Sequence, residues 1–351
     1  MRYSFVLLSA AAATAVHALD VVKYGAFTVT ATYSIANQLG FFKAYNLDVI
    51  YEQVPNSTYT YAEILNGGYD ILTGTIDNSV NLRLNSNESV TVLGQLDQGP
   101  DLVLAAAPGI TNVEQLRGLP LIVDSPVSGY AYLLRRVLAG FGLTEGADYF
   151  FQTVGGTNLR YADLVAGKLP NGTEVYATIL LYPFTAEGEV LPSSQTPNVI
   201  ARVSDFVNPI SSSAFTARES ALTDPKESNL LTRFLAAMYA ANLYLLNPNN
   251  KKCATNAIQN QLGVSAAAAA LEYTAATNSQ TGEVSGGKFT VNVPGIMNVI
   301  ATRAEFNGFS NLPADYNFTA AVIHGVGQLI DYSIRDAAVN ILQPSLLSRC
   351  C

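Results

Sequence analysis

From Asp20 to Ala217, short β-branched apolar runs alternate with runs whose apolar residues recur every three or four positions. This alternation constrains the chain more than any other feature. A strand followed by a helix and a second strand comes back parallel to where it started, and the helix covers a sheet face. Val21–Val29 reads as a strand. Ala31–Ala44 reads as a helix with Ala31, Ile35, Leu39 and Phe42 on one face, and Asp48–Val54 as an alternating strand. Tyr59–Leu65 is a short helix closed by Asn66-Gly67-Gly68, a C-cap signal, and Tyr69–Thr75 is the next strand. Asp77 is placed as the N-cap of a helix through Leu84, followed by strands at Val90–Leu96 and Leu102–Ala107.

The plan repeats after Pro108. Strands are expected at Pro120–Asp124, Tyr149–Val154, Val175–Leu181 and Asn198–Val203, with helices at Val113–Leu116, Gly129–Phe141 and Leu159–Ala166. Ser211–Ala217 reads as a connecting strand. The chain then turns helical: Lys226–Leu246 is apolar nearly all round, which indicates burial. Asn256–Leu262, Ala266–Ala276, Val293–Phe306 and Val322–Leu342 also read as helices. The expectation is an α/β protein of two lobes with mostly parallel sheets. The chain crosses between the lobes near Leu102–Ala107 and returns near Ser211–Ala217. The lobes are placed at 19–104 and 105–212, with 213–351 completing the first lobe and adding a helical tail that packs back on it. A cleft between two such sheets gathers strand ends and helix N-termini, and is the natural ligand site.

Composition narrows the function. Of 351 residues, 49% are hydrophobic and 13% charged, enough apolar material for a large core. The net charge is −8 with no basic run, which argues against a nucleic-acid partner. Residues 1–18 show one positive charge, an apolar run and small residues ending in Val16-His17-Ala18, the pattern of a secretory signal peptide. No later stretch is long and apolar enough to span a bilayer. Four Asn-x-Ser/Thr sequons, at Asn56, Asn87, Asn171 and Asn317, then suggest a secreted glycoprotein. In an oxidising compartment Cys253 is expected to pair with Cys350 or Cys351. Beyond the signal the one histidine is His324, so a Ser-His-Asp triad or a His-rich metal site lacks material, and neither metal nor cofactor is expected. Gly282–Lys288 nearly matches a phosphate loop but continues with Phe289 and lacks a preceding strand, so it reads as a surface loop.

The stretches LGFFKAYNLDVIYEQV and YAEILNGGYDILTGT resemble the start of the nitrate/sulfonate/taurine and thiamine-pyrimidine solute-binding family. The resemblance lies in Gly40-Phe41-Phe42, Asn46-Leu47-Asp48-Val49, Glu63-Ile64-Leu65, Gly68 and Asp70-Ile71, and in ITNVEQLRGLPLIV as the entry to the second lobe. It implies a periplasmic-binding-protein-like (type II) fold and a small-molecule ligand. Ligand contacts in that fold class come from loops after the strands, which here are Phe27, Thr28 and Tyr33; Thr75, Asp77 and Asn78; Gln95 and Asp97; Ser125, Ser128, Gly129 and Tyr130; and Tyr182. The loop Ser125–Tyr130 follows a strand and opens a helix, so its N–H and hydroxyl groups suit an anion or carbonyl. Tyr33, Tyr130 and Tyr182 suit a flat ring. No arginine lies in these loops, which favours a neutral or monoanionic compound, pyrimidine- or sulfonate-like, bound by a monomer without catalysis. Two alternatives stay open: a pyrimidine-synthase-like enzyme, for which the cysteine cluster and a first-lobe histidine are missing, and a secreted interaction protein that has lost its ligand.

Overall fold

The computed structural model describes residues 18–99, 101–283 and 287–349. Among the described residues ten strands are formed: β1 (Asp20–Ala26), β2 (Leu47–Gln53), β3 (Ile71–Thr75), β4 (Val90–Gln95), β5 (Val103–Ala106), β6 (Leu119–Val123), β7 (Tyr149–Thr153), β8 (Ala177–Leu180), β9 (Asn198–Arg202) and β10 (Ser213–Arg218). The first lobe is built on a sheet of order β2-β1-β3-β10-β4. The second combines a three-stranded sheet, β8-β5-β9, with the pair β6-β7.

The expected mostly parallel pairing is corrected. β1 is parallel to β2 and β3, and β6 to β7. β10 runs antiparallel to β3 and β4, and β5 antiparallel to β8 and β9. β5 and β10 are the first strands after each passage between lobes. Among the described residues no α-helix lies between either strand and the one before it, so no βαβ crossover imposes a parallel return.

The stretch predicted as one helix from Ala31 to Ala44 is two. The helix Ala31–Gln38 ends at Leu39, Gly40 takes a left-handed φ of 69°, and a second short helix covers Phe41–Ala44. The break turns both phenylalanines inward: Phe42 stacks on Phe234 at 5.4 Å, and Phe41 meets Tyr244 edge-on at 5.8 Å. Phe234 and Tyr244 lie on the 22-residue helix Pro225–Leu246, the centre of the first lobe's core.

The tail departs from expectation twice. Val322–Leu342 is not one helix. After Phe318–Ala321 the chain turns through Gly325 and Gly327, Ile330 pairs in parallel with Val92 of β4, and a helix resumes at Ser333–Asn340. Two glycines weaken the helix there, and Asp331 fixes the turn by accepting Gly327 N at 3.0 Å and Ser333 N at 2.9 Å. Nor does the whole tail pack on the first lobe. The helix Val293–Glu305 lies on Gly129–Gly140 of the second lobe, and one hydrophobic cluster runs from Val80 and Val92 through Leu104 and Leu134 to Ile296 and Ile300.

Candidate functional site: a cleft between the lobes

The two lobes meet along a shared rim. Ser57 donates from both N and Oγ to Asp124 Oδ2, at 3.2 and 2.7 Å. Gly156 N donates to Pro55 O at 2.6 Å, and Gly129 N to Asn78 Oδ1 at 3.0 Å. Gly129 has no room for a side chain, since a Cβ there would stand 2.8 Å from Asp77 Cβ and 2.9 Å from Thr75 Cγ2. The structure is therefore a closed form. Between the lobes it leaves a narrow cavity of about 20 Å³.

Six predicted residues are on the cavity wall: Phe27, Thr28, Thr75, Asn78, Ser128 and Tyr130. Ser128 is the N-cap of helix Gly129–Gly140, and its hydroxyl also donates to Asp124 Oδ1 at 2.7 Å. Burial pushes the Tyr130 phenol well above its ordinary pKa, so it stays a hydrogen-bond donor. Asn78 uses Oδ1 on Gly129 N, while its Nδ2 is buried with no hydrogen bond among the described residues.

Seven others are elsewhere, each for a physical reason. Tyr33 is packed in the first lobe among Tyr24, Tyr51 and Phe42, with ring centroids 5.0–5.7 Å apart. Asp77 is not an N-cap; Thr75 takes that position, and the Asp77 carboxylate is held by Arg303 Nε at 3.0 Å and Nη2 at 2.5 Å, both side chains almost fully buried. Gln95 and Asp97 fasten the two crossings of the chain. Gln95 Oε1 accepts Ser211 Oγ at 2.6 Å, and Asp97 Oδ1 accepts Gly99 N at 2.9 Å and Ser213 N at 3.1 Å. Ser125 braces its own turn, its Oγ accepting Val127 N at 3.4 Å. Gly129 serves the rim contact rather than the wall. Tyr182 donates to the buried carboxylate of Glu283 at 2.5 Å.

Sequence reading missed the wall's cation. Arg160 sits on helix Thr157–Ala166, is 2% exposed, and lines the cavity. Its guanidinium donates to Gly155 O, Thr157 Oγ1, Thr178 Oγ1 and Ile179 O at 2.6–3.1 Å, and it forms no ion pair among the described residues. Burial lowers its pKa, and Asp124 and Tyr130 oppose that shift. Gly155-Gly156-Thr157 was the available signal: it follows a strand and opens a helix, as Ser125–Tyr130 does.

Away from the cleft, Asn87, Asn171 and Asn317 are exposed, and Asn56 is half-buried with Oδ1 capping Ser57–Asn66. Cys253 is half-buried on the helix Lys251–Leu262; Cys350 and Cys351, like the predicted signal peptide up to His17, lie outside the described residues. His324 packs against the Tyr332 ring at 4.9 Å and 43°, and it is not among the wall residues. Among the described residues no helix is long and apolar enough to cross a membrane.

The model of the family described as NMT1/THI5 like matches residues 28–251, well over half of the chain. The chain belongs to the NMT1/THI5-like family. No curated protein sequence matches it. Among solved structures it is similar to the periplasmic nitrate-binding protein NrtA from Synechocystis PCC 6803, at 13% identity and TM-score 0.68, over 94% of this chain and 91% of that one. It is also similar to the alkanesulfonate-binding protein SsuA from Xanthomonas axonopodis pv. citri bound to MOPS, at 14% identity and TM-score 0.65, over 84% of this chain and 94% of that one. The desulfurization enzyme DSZB is similar too, at 13% identity and TM-score 0.55, over 92% of this chain and 99% of that one. These likenesses establish the periplasmic binding protein fold, with two lobes and a helical tail.

Proposed function

We propose that this NMT1/THI5-like protein captures a small monoanionic solute between its lobes and releases it unchanged. The observation behind this reading is Arg160: a buried guanidinium on the cavity wall with no ion-pair partner among the described residues. A buried charge favours an opposite charge beside it, because water no longer screens it. The expectation that no arginine faces the ligand is thereby revised, and the balance moves from neutral compounds toward anions. Asp124 stands on the same wall, so one negative charge on the ligand is favoured over two. The unpartnered Asn78 Nδ2 and the Tyr130 hydroxyl supply donors for ligand oxygens. The binding of MOPS, a sulfonate, by the Xanthomonas relative and of nitrate by the Synechocystis one agrees with such a site.

The same reading places the protein outside the cell as a glycosylated monomer, with lobes at 19–104 and 105–212 completed by 213–351. It includes a Cys253 bridge to Cys350 or Cys351. Support for the bridge comes from Arg349, whose carbonyl accepts Tyr244 Oη at 3.0 Å and whose guanidinium donates to Leu39 O, so the chain just before Cys350 is held against the first lobe. The test of the binding reading is calorimetry with ethanesulfonate, nitrate and a pyrimidine on wild type, Arg160→Lys and Arg160→Met. The anions are expected to bind wild type best, Lys to retain part of the affinity and Met to abolish it. Equal anion binding by wild type and a folded Met variant would overturn the assignment.

A further inference from the structure

The helix Ala31–Gln38 begins three residues after Thr28, which lines the cavity. The first N–H groups of a helix have no partner within it and prefer an anion. Here the anion comes from 252 residues further along the chain. Glu283 Oε1 accepts Ala31 N and Oε2 accepts Thr32 N, both at 2.8 Å, so one carboxylate spans two successive amides. Three features hold it there. Glu283 N donates to Ala276 O at 2.8 Å, Asn242 Nδ2 donates to Glu283 O at 2.7 Å, and Gly282 lies so close to Ala276 O that a Cβ would stand 2.3 Å from it. The third donor to the carboxylate comes from the other lobe: Tyr182 follows β8, and its hydroxyl reaches Glu283 Oε1 at 2.5 Å. Glu283 and Tyr182 are both at most 2% exposed.

We propose that the first turn of helix Ala31–Gln38 is a carboxylate seat, that Glu283 fills it as an internal ligand, and that Tyr182 makes this contact a latch that strengthens the closed form. The inference concerns regulation of the same cleft and rests on the binding reading. A helix cap alone needs only the two amides. The tyrosine contact joins residues on opposite sides of both chain crossings and acts beside the rim contacts of Ser57 with Asp124 and Gly156 with Pro55, so its loss weakens the closed form. A free carboxylate the size of formate or acetate suits the same two amides once the glutamate side chain is removed.

The experiment is small-angle scattering on the full secreted protein with no solute, comparing wild type, Glu283→Ala and Tyr182→Phe. Each is measured in sodium formate and in sodium chloride of equal ionic strength, with amide exchange followed at Ala31 and Thr32. Wild type is expected to be compact in both salts. Both variants are expected to have a larger radius of gyration in chloride. Formate is expected to restore compactness and protection at Ala31 and Thr32 in Glu283→Ala only. A Glu283→Ala protein as compact as wild type would show that Glu283 is only a cap, and formate acting no better than chloride would show that there is no seat. Should Glu283→Ala not fold, Tyr182→Phe keeps the cap intact, and its remaining compact would overturn the latch. No solute is used, so failure to find a solute leaves this result standing.

Discussion

Replacing Arg303 by methionine tests the packing behind the cleft. Arg303 is 1% exposed and gives Asp77 two hydrogen-bonding nitrogens, at 3.0 and 2.5 Å. It also lies over the Tyr132 ring at 4.1 Å and donates to Val127 O at 2.9 Å. Methionine keeps much of the stem but leaves the Asp77 carboxylate, 2% exposed, without its counter-charge. Breaking one half of a buried pair costs about 3–5 kcal/mol. At roughly 2 °C per kcal/mol for a chain of this size, the melting temperature falls by about 6–10 °C. Asp77→Asn with Arg303→Met removes both charges and is expected to recover at least half of that loss, because no charge is then stranded. Added salt changes neither value, since the pair is out of reach of ions. Calorimetric melts of wild type, both single variants and the double variant complete the cycle. A loss under about 1 kcal/mol for Arg303→Met, the size of an exposed pair's contribution, would refute the reasoning, as would a double variant no better than the single.

Three further outcomes follow from the same structure. Glu272 is 1% exposed, its carboxylate oxygens have no hydrogen bond among the described residues, and its pKa is raised by burial and then by Glu283 and Glu187. A raised folded-state pKa means stability that is present at low pH and lost as pH rises from the ordinary carboxylate range through the raised value. Glu272→Met is therefore expected to raise the melting temperature at pH 8 and to change it least at pH 4; a gain that is equal at both would contradict this. Gly129→Ala forces a methyl against Asp77 and Thr75 and is expected to open the rim; scattering that shows the variant as compact as wild type would contradict it. Reduction of the secreted protein is expected to lower its stability by up to about 4–5 kcal/mol through loss of the Cys253 bridge, which closes a long loop; peptide mapping that finds Cys253 alkylated without reductant would rule the bridge out.

Local signals were legible in the sequence where the residue that decides a structure lies next to it. Gly40 and Gly67 both take left-handed backbone where the chain must leave a helix, and Ser128 caps the helix it opens. The wall residues from Phe27 to Tyr130 were found because they follow strands. What stayed hidden was set by distant partners. Asp77 looks like a cap until Arg303, 226 positions away, claims its carboxylate. Tyr182 looks like a ligand ring until Glu283 arrives, and Gln95 and Asp97 look like loop donors until the returning crossing at Ser211 and Ser213 takes them. Arg160 stayed hidden because it follows Gly155-Gly156 after β7, a strand end to which the sequence reading assigned no ligand contact. Val322–Leu342 read as a helix because its apolar spacing outweighed two glycines, whose weakness matters only because β4 offers Ile330 a strand partner.

The central claim is that a small anion sits between the lobes beside Arg160. Anomalous diffraction from crystals grown with 2-bromoethanesulfonate tests it most directly. The account predicts one strong bromine peak inside the cavity lined by Thr28, Asn78, Tyr130 and Arg160, lost when unlabelled ethanesulfonate is added in excess. Bromine peaks confined to the outer surface, with the cavity unoccupied at saturating sulfonate, would contradict it.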